Sequence, residues 1–467
     1  MAMSRVAAEM EKKGMPVVLE SFEDDGINKT AQQSFMREGV PAVREVLTPQ
    51  DTSLKKLPDG YTQKFIDALT RPLTDEEQKS GTYTPPKHEG ILMSGTYDEV
   101  QKRFEGELID HPSIGPIAKM TDGLPITPPT KRRVAQMLKG TSHDPAEPIV
   151  FEGFMGHSKH FTSVEKVAIN AVMAGCKPEY MPVALTIAEA GACVGYPGDS
   201  SFGHMYVVSG PIAKEIGMNS GFCYLAPGNP ANMALQRVGT LMGINLGGAI
   251  FGINVLERTG PLHWGTIFAE DENTPWEGLN EHFGYGPDES ILLSWEGKVQ
   301  LVPLQNIEVK SAESLRDNML GTPDLAVAAL KTLTNTHGAL LSLTPDAACH
   351  WKEEYGFNTM RDLQDYMYEH VTWKQSVWAK NYWIHILGRG RQRGSFGKEK
   401  AHRNPSDYEV DERSTTEKLS KLPGNADVPL FVSPRAITVI VAGGTGNAWT
   451  WGGAFGRPLA YSIDKWR

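Results

Sequence analysis

EMEKKGMPVVLESFEDDG, residues 9–26, decides the fold class. Ala7–Lys13 is helical in composition, Gly14 stops it, Pro16–Leu19 is a short apolar strand, and Glu23-Asp24-Asp25-Gly26 is an acidic turn. Further along, Val43–Leu47 reads as a second strand and Gly60–Leu69 as a helix, so residues 1–80 alternate helix and strand as half of a doubly wound unit does. Proline removes an amide donor and restricts the residue before it, so Thr82–Lys87, with Pro85 and Pro86, reads as a linker. The expectation is an α/β protein in three parts. An incomplete doubly wound unit fills 1–80, a linker and entry segment 81–120, and a larger mixed α/β domain 121–467. The sequence shows no internal repeat.

The chain has 467 residues, 40% hydrophobic and 22% charged, which places it among ordinary globular proteins with a sizeable core. Its net charge of -10 argues against a nucleic-acid or anionic-membrane partner. The local exception, Arg389, Arg391, Arg393, Lys398, Lys400 and Arg403 among glycines, reads as a solvated loop. The first fourteen residues carry both charge signs and no apolar core, unlike a secretory signal. Val238–Val255, the most apolar run, holds glycines, Thr240, Asn245 and Asn254, too polar for a membrane span. Four cysteines without CxxC spacing indicate neither a disulfide framework nor a cysteine zinc site, and a reducing cytoplasm is expected.

Helical spacing is clearest in VEKVAINAVMAGCKPEYMP, residues 164–182. Thr162 and Glu165 match a capping box, Val164, Val167, Ala168, Ala171 and Val172 repeat on one face, and Gly175 ends the helix. Lys166, Asn170 and Glu179 cluster near Cys176, and such groups are costly to bury unless hydrogen-bonded. One reading is a polar site in which Lys166 lowers the pKa of a nucleophilic Cys176 thiol; the other is a buried helix with Cys176 as a small hydrophobe.

A second helix starts at Asn229, a favoured cap, with Pro230 in the first helical position. The loop before it, Asn219–Gly228, is expected to bring Asn219 and Ser220, with Asn229 and Asn232, against an anionic or carbonyl ligand. Glu270-Asp271-Glu272 is either a solvated turn or the source of an acid–base group, and Glu270 is the candidate. His157 could contact substrate. With His160 it is a weak metal pair lacking a third ligand. Asp199, Ser200, Ser201 and His204 lack the GxSxG elbow of a serine hydrolase. Ile437–Val441 leads into Gly443-Gly444-Thr445-Gly446-Asn447, which looks like a phosphate cradle, yet no helix pattern follows it as a nucleotide fingerprint requires.

Residues 121–138, 162–183, 218–238, 268–279 and 437–447 together resemble, in order, the large domain of the UGSC (Sec-Gly-Ser-Cys) redox-associated family. Residues 9–25 are similar to that family's small domain just after its Sec-Gly-Ser-Cys or Cys-Gly-Ser-Cys motif. That domain is in turn similar to selenoprotein subunits of glycine and proline reductases, which cleave carbon–nitrogen bonds reductively. The resemblance implies an oxidoreductase or lyase subunit that uses a thiol or selenol to cleave or reduce a carbon–heteroatom bond in a small polar organic substrate. Alternatives are a non-redox lyase or hydrolase, metal-assisted or not, and a noncatalytic scaffold subunit. No thiol motif precedes Glu11. A separate small polypeptide with a Cys or Sec motif is therefore the expected partner in a hetero-oligomer; the sequence identifies no cofactor beyond that partner Cys or Sec. Cys176, Glu179, Lys166 and Glu270 are the candidate catalytic residues, and Asn170, Asn219, Ser220, Asn229, Asn232 and His157 the candidate binding residues.

Overall fold

The computed structural model describes residues 14–22, 44–48, 59–72, 90–106, 108–111, 115–152, 159–192, 203–247, 264–297, 300–303, 316–332, 338–380, 412–444, 449–452 and 458–467, apart from positions 318 and 432, together with isolated residues. The linker 82–87, the acidic turn 23–26 and the basic loop 388–403 lie outside them. The chain is a mixture of helices and strands arranged in several small sheets.

β1 (Val18–Phe22) and β2 (Arg44–Thr48) form a parallel pair with Val18 opposite Arg44. α1 (Tyr61–Thr70) lies on β2, and the Arg44 guanidinium donates to the Ala68 carbonyl at 2.6 Å. The segment expected to be a linker and entry also holds regular structure, α2 (Tyr97–Gly106) and the antiparallel pair β3 (Leu108–His111) and β4 (Gly115–Ala118).

Next come α3 (Lys131–Met137), the antiparallel β5 (Pro148–Glu152) and β6 (Lys159–Ser163), then α4 (Val164–Ala174) and α5 (Met181–Ile187). The cap of α4 is Ser163, whose Oγ accepts from the Lys166 amide at 3.4 Å, and not Thr162. Thr162 lies one residue further into β6, paired with Ile149, and Ser163, the last residue of the strand, stands immediately before the first helical residue Val164. Gly175 ends α4 at φ 84°, a conformation that favours glycine.

The remaining elements build two four-stranded sheets. β7 (Gly203–Ser209), α6 (Ile212–Glu215), α7 (Pro230–Asn245), β8 (Trp264–Ala269), α8 (Leu279–His282), β9 (Ile291–Gly297) and β10 (Gln300–Pro303) come first. α9 (Pro323–Leu330), β11 (Ala339–Leu343), α10 (Pro345–Tyr355), α11 (Met360–His370), β12 (Thr372–Lys374), α12 (Gln375–Trp378) and α13 (Glu412–Ser420) follow. The last are β13 (Asp427–Pro429), β14 (Ile437–Val441), β15 (Trp449–Gly452) and β16 (Leu459–Ser462).

The sheet orders β16-β9-β7-β8 and β10-β15-β11-β14 are the same pattern twice. In each, the edge strand is parallel to its neighbour (β8 to β7, β14 to β11), and the next two strands are antiparallel. The fourth strand is exchanged. β10 follows β9 in the chain but pairs with β15 in the second sheet, whereas β16 follows β15 and pairs with β9 in the first. The two ladders run on nearly one register, with Ile291 opposite Ser462 and Pro303 opposite Trp449. Residues 203–462 therefore contain two units of like strand order and pairing that exchange their fourth strands, a repeat that the sequence does not display. Trp295 opposite Met205 and Trp451 opposite Leu340 occupy matching places, one of few residue-level traces of it.

Strand alternation separates the two cores. Tyr206, Val208, Ile267 and Leu292 of the first sheet join one core with α4, α5 and α7; Met205, Val207, Phe268, Leu293 and Trp295 turn the other way into a core shared with β11 and β14 of the second unit. β11 and β14 are buried at every position, as parallel strands covered on both faces are.

Candidate functional site

The edge strands of the two units end together. The Asp271 amide, just past β8, donates to the Val441 carbonyl of β14 at 2.8 Å. Matching backbone bonds, Glu270 amide to Val208 carbonyl and Ala442 amide to Leu343 carbonyl, both 2.9 Å, make Glu270 the counterpart of Ala442 and Asp271 that of Gly443. One unit thus presents Glu270 and Asp271 where the other presents Ala442 and Gly443. The carboxyl ends of parallel strands are the usual ligand position of α/β sheets.

Small residues at the second strand end let the 219–228 loop approach. The Gly443 amide donates to the Ser220 carbonyl at 2.6 Å. A Cβ at Gly444 would stand 2.3 Å from the Phe222 ring, and one at Gly443 would meet the Tyr224 ring at 3.5 Å. Tyr224 also packs edge-on against Phe268, with ring centroids 4.8 Å apart.

Glu270 is half-buried. Its Oε2 accepts from the Ser209 hydroxyl at 2.7 Å and the Leu279 amide at 2.9 Å, while Oε1 is enclosed without a hydrogen-bond partner. Burial pushes its pKa up from 4.5 to about 7; the Ser209 and Leu279 bonds oppose the rise, and the Glu277 and Asp271 carboxylates add to it. Asp271 is bound on both oxygens: Oδ1 accepts from the Asn273 amide and side chain, and Oδ2 from the Ser220 hydroxyl at 3.4 Å.

The asparagines expected to face a ligand are used up inside their own loop. Asn219 donates to the Phe222 carbonyl and accepts from the Gly221 amide; Asn232 accepts from the Asn219 amide and donates to the Asn219 and Tyr224 carbonyls. Asn229 caps α7 by accepting from the Asn232 amide at 3.0 Å and also donates to the Gly217 carbonyl. These bonds shape the loop and engage the side-chain groups that were expected to face a ligand. Asn229→Ala should therefore cost about 1 kcal/mol of stability in denaturant titration, with ligand affinity little changed.

The Cys176 wall does not form as expected. Cys176 turns into the core beyond Gly175, and burial pushes its thiol up to about 12, the reverse of an activated nucleophile. Lys166 is exposed on α4, and Glu179 is exposed beside Lys177 at 4.0 Å. Asn170 is buried, but it donates to the Lys166 carbonyl and accepts from Asn245, tying α4 to α7. Cys223, in the 219–228 loop, is exposed and holds φ 58°.

His157, Asp199, Ser200, Ser201 and residues 445–447 lie outside the described residues. His160 is in β6, opposite Phe151, and His204 is in β7, opposite Glu296. Among the described residues no group of three or more His, Cys, Asp or Glu side chains could hold a metal ion, and no helix is long and apolar enough to cross a membrane. Sequence reasoning missed Ser209, 61 residues upstream of Glu270, and Leu279 and Asn280 of α8, of which Leu279 donates to Glu270 and Asn280 to Ser209. No family model matches the chain, and neither does any curated protein or solved structure.

Proposed function

We propose that the chain is an enzyme subunit that takes a small polar organic substrate where β8 and β14 end, with Glu270 donating a proton as a carbon–heteroatom bond breaks. One observation supports this above others: a carboxyl raised to about 7 whose Oε2 is held by two donors while its Oε1 is enclosed and unpaired. Such a group is about half protonated at neutral pH, where a general acid works best. A heteroatom leaving as an anion then takes the Glu270 proton.

In the reductive form of the reaction, a thiolate or selenolate displaces the heteroatom from carbon, and the heteroatom leaves with the Glu270 proton. A second thiol attacks the bound sulfur or selenium, closing the disulfide or selenosulfide and expelling the carbon, which takes that thiol's proton to form the new C–H bond. The buried Cys176 is unsuited to the first role, and on this reading the thiol comes from a separate small polypeptide with a Cys/Sec-Gly-Ser-Cys motif. The parallel pair β1–β2 favours such a partner: parallel sheets are ordinarily covered on both faces, yet Leu47 of β2 and Ile66 and Leu69 of α1 are exposed. On this reading residues 1–80 are a doubly wound unit that the partner completes.

A lyase without redox chemistry is the second reading, favoured by Glu270 itself, since proton transfer needs no thiol. Co-expression with the neighbouring small polypeptide separates them. We expect one complex on size exclusion and one dithiol oxidised per product. Product formed by the chain alone without loss of dithiol would remove the reductive reading and leave the lyase.

A further inference from the structure

Ser209, at the end of β7, is 1% exposed, and its hydroxyl has one hydrogen for two acceptors. It accepts from the Asn280 amide at 3.0 Å and faces Glu270 Oε2 at 2.7 Å and Asn280 Oδ1 at 3.3 Å. The Asn280 side chain cannot turn, because its Nδ2 donates to the carbonyls of Gly286, Pro287 and Glu289. Both donors to Glu270, the Ser209 hydroxyl and the Leu279 amide, fall on the same carboxyl oxygen. An acid with two equivalent oxygens could protonate on either. Here one is reserved.

We infer that Ser209 is a positioning residue: its hydroxyl, aimed by the fixed Asn280, holds Oε2 of Glu270 so that Oε1 is the oxygen that exchanges a proton with substrate. The inference rests on the reading of Glu270 as the site acid. A charged acceptor makes the stronger hydrogen bond, so the hydroxyl favours Glu270 over Asn280 when the carboxyl is ionised. The charged groups facing Glu270 are the Asp271 and Glu277 carboxylates, and Glu277 is held ionised chiefly by His282 Nδ1 at 3.1 Å, with Arg361 further off. The end of β14 and the 219–228 loop bring no charged side chain. The second unit has Thr344 in the place of Ser209, where its hydroxyl accepts from the Ala347 amide, and Ala442 in the place of Glu270, so that unit has no carboxyl at this position to hold.

The test reads Glu270 directly. The carboxyl carbons of glutamate-labelled protein are followed by NMR from acid to alkaline pH, with Glu270→Gln identifying the signal. We expect a midpoint near 7 in the parent. In Ser209→Ala it should rise by about one pH unit or more, since a hydrogen bond to the charged form is lost, and Ser209→Thr should return it most of the way. Should Ser209→Ala fail to fold, Ser209→Cys, with a weaker donor, carries the same measurement. A purely structural serine would lower the melting temperature and leave the midpoint in place, and that result would overturn the inference. Turnover that survived Glu270→Gln would instead remove Glu270 as the acid, while the NMR midpoint still decided what Ser209 does to it.

Discussion

Glu270→Gln lowers kcat by about 10²- to 10⁴-fold and changes KM little, the loss expected when a general acid becomes an amide of the same shape. The parent's kcat falls on the alkaline side with a midpoint near 7, because the protonated carboxyl is the active form. That limb disappears in the variant. Stability gives a second readout of the same group. Its pKa is raised on folding, from 4.5 to about 7, so the unfolded chain releases the proton first as pH rises. The contribution is complete below about 4.5 and lost between there and about 7. Gln, uncharged throughout, removes this slope, so the variant should hold its melting temperature better than the parent above neutrality. Unchanged kcat together with an unchanged pH profile would take the chemistry away from β8.

Local structure was legible wherever the signal was local. The strand read at 16–19 appears two to three residues later, at Val18–Phe22, whereas the strand at 43–47, the helix ending before Gly175, and Asn229 as a cap with Pro230 behind it appear within a residue of their reading. Glu270 could be picked out as an acid–base candidate, but its state could not, since burial and Ser209 set it from outside its own segment. Cys176 misled because helical spacing ends at Gly175: the left-handed turn there redirects the chain, and the thiol meets the core instead of Lys166. The asparagine loop misled for a different reason. Amides in a turn bond their own backbone as readily as a ligand, and composition does not say which. The repeat was invisible because the two units share strand order and pairing but few residues, and because each lends its fourth strand to the other.

That exchange predicts how the two four-stranded sheets unfold. Trp295, 2% exposed in β9, stands opposite Met205 and fills the core that the first sheet shares with β11 and β14. Removing so large a side chain by Trp295→Ala costs about 3–5 kcal/mol through lost burial and the cavity left behind. Were the units independent, the cost would fall on the first sheet alone. They are not: β9 is held by β16, which the second unit supplies, and β10 completes the second sheet from the first unit's side. Neither sheet can lose its central strands without the other losing a partner. The variant should therefore unfold in one transition at lower denaturant, with the same midpoint by circular dichroism and by tryptophan fluorescence. Amide exchange at Leu340–Leu343 of β11 should accelerate about a hundredfold or more, in step with Met205–Val208 of β7, because a loss of 1.4 kcal/mol is tenfold in the opening equilibrium. If β11 kept the parent's protection while β7 lost its own, the exchanged strands would join the two units without coupling them.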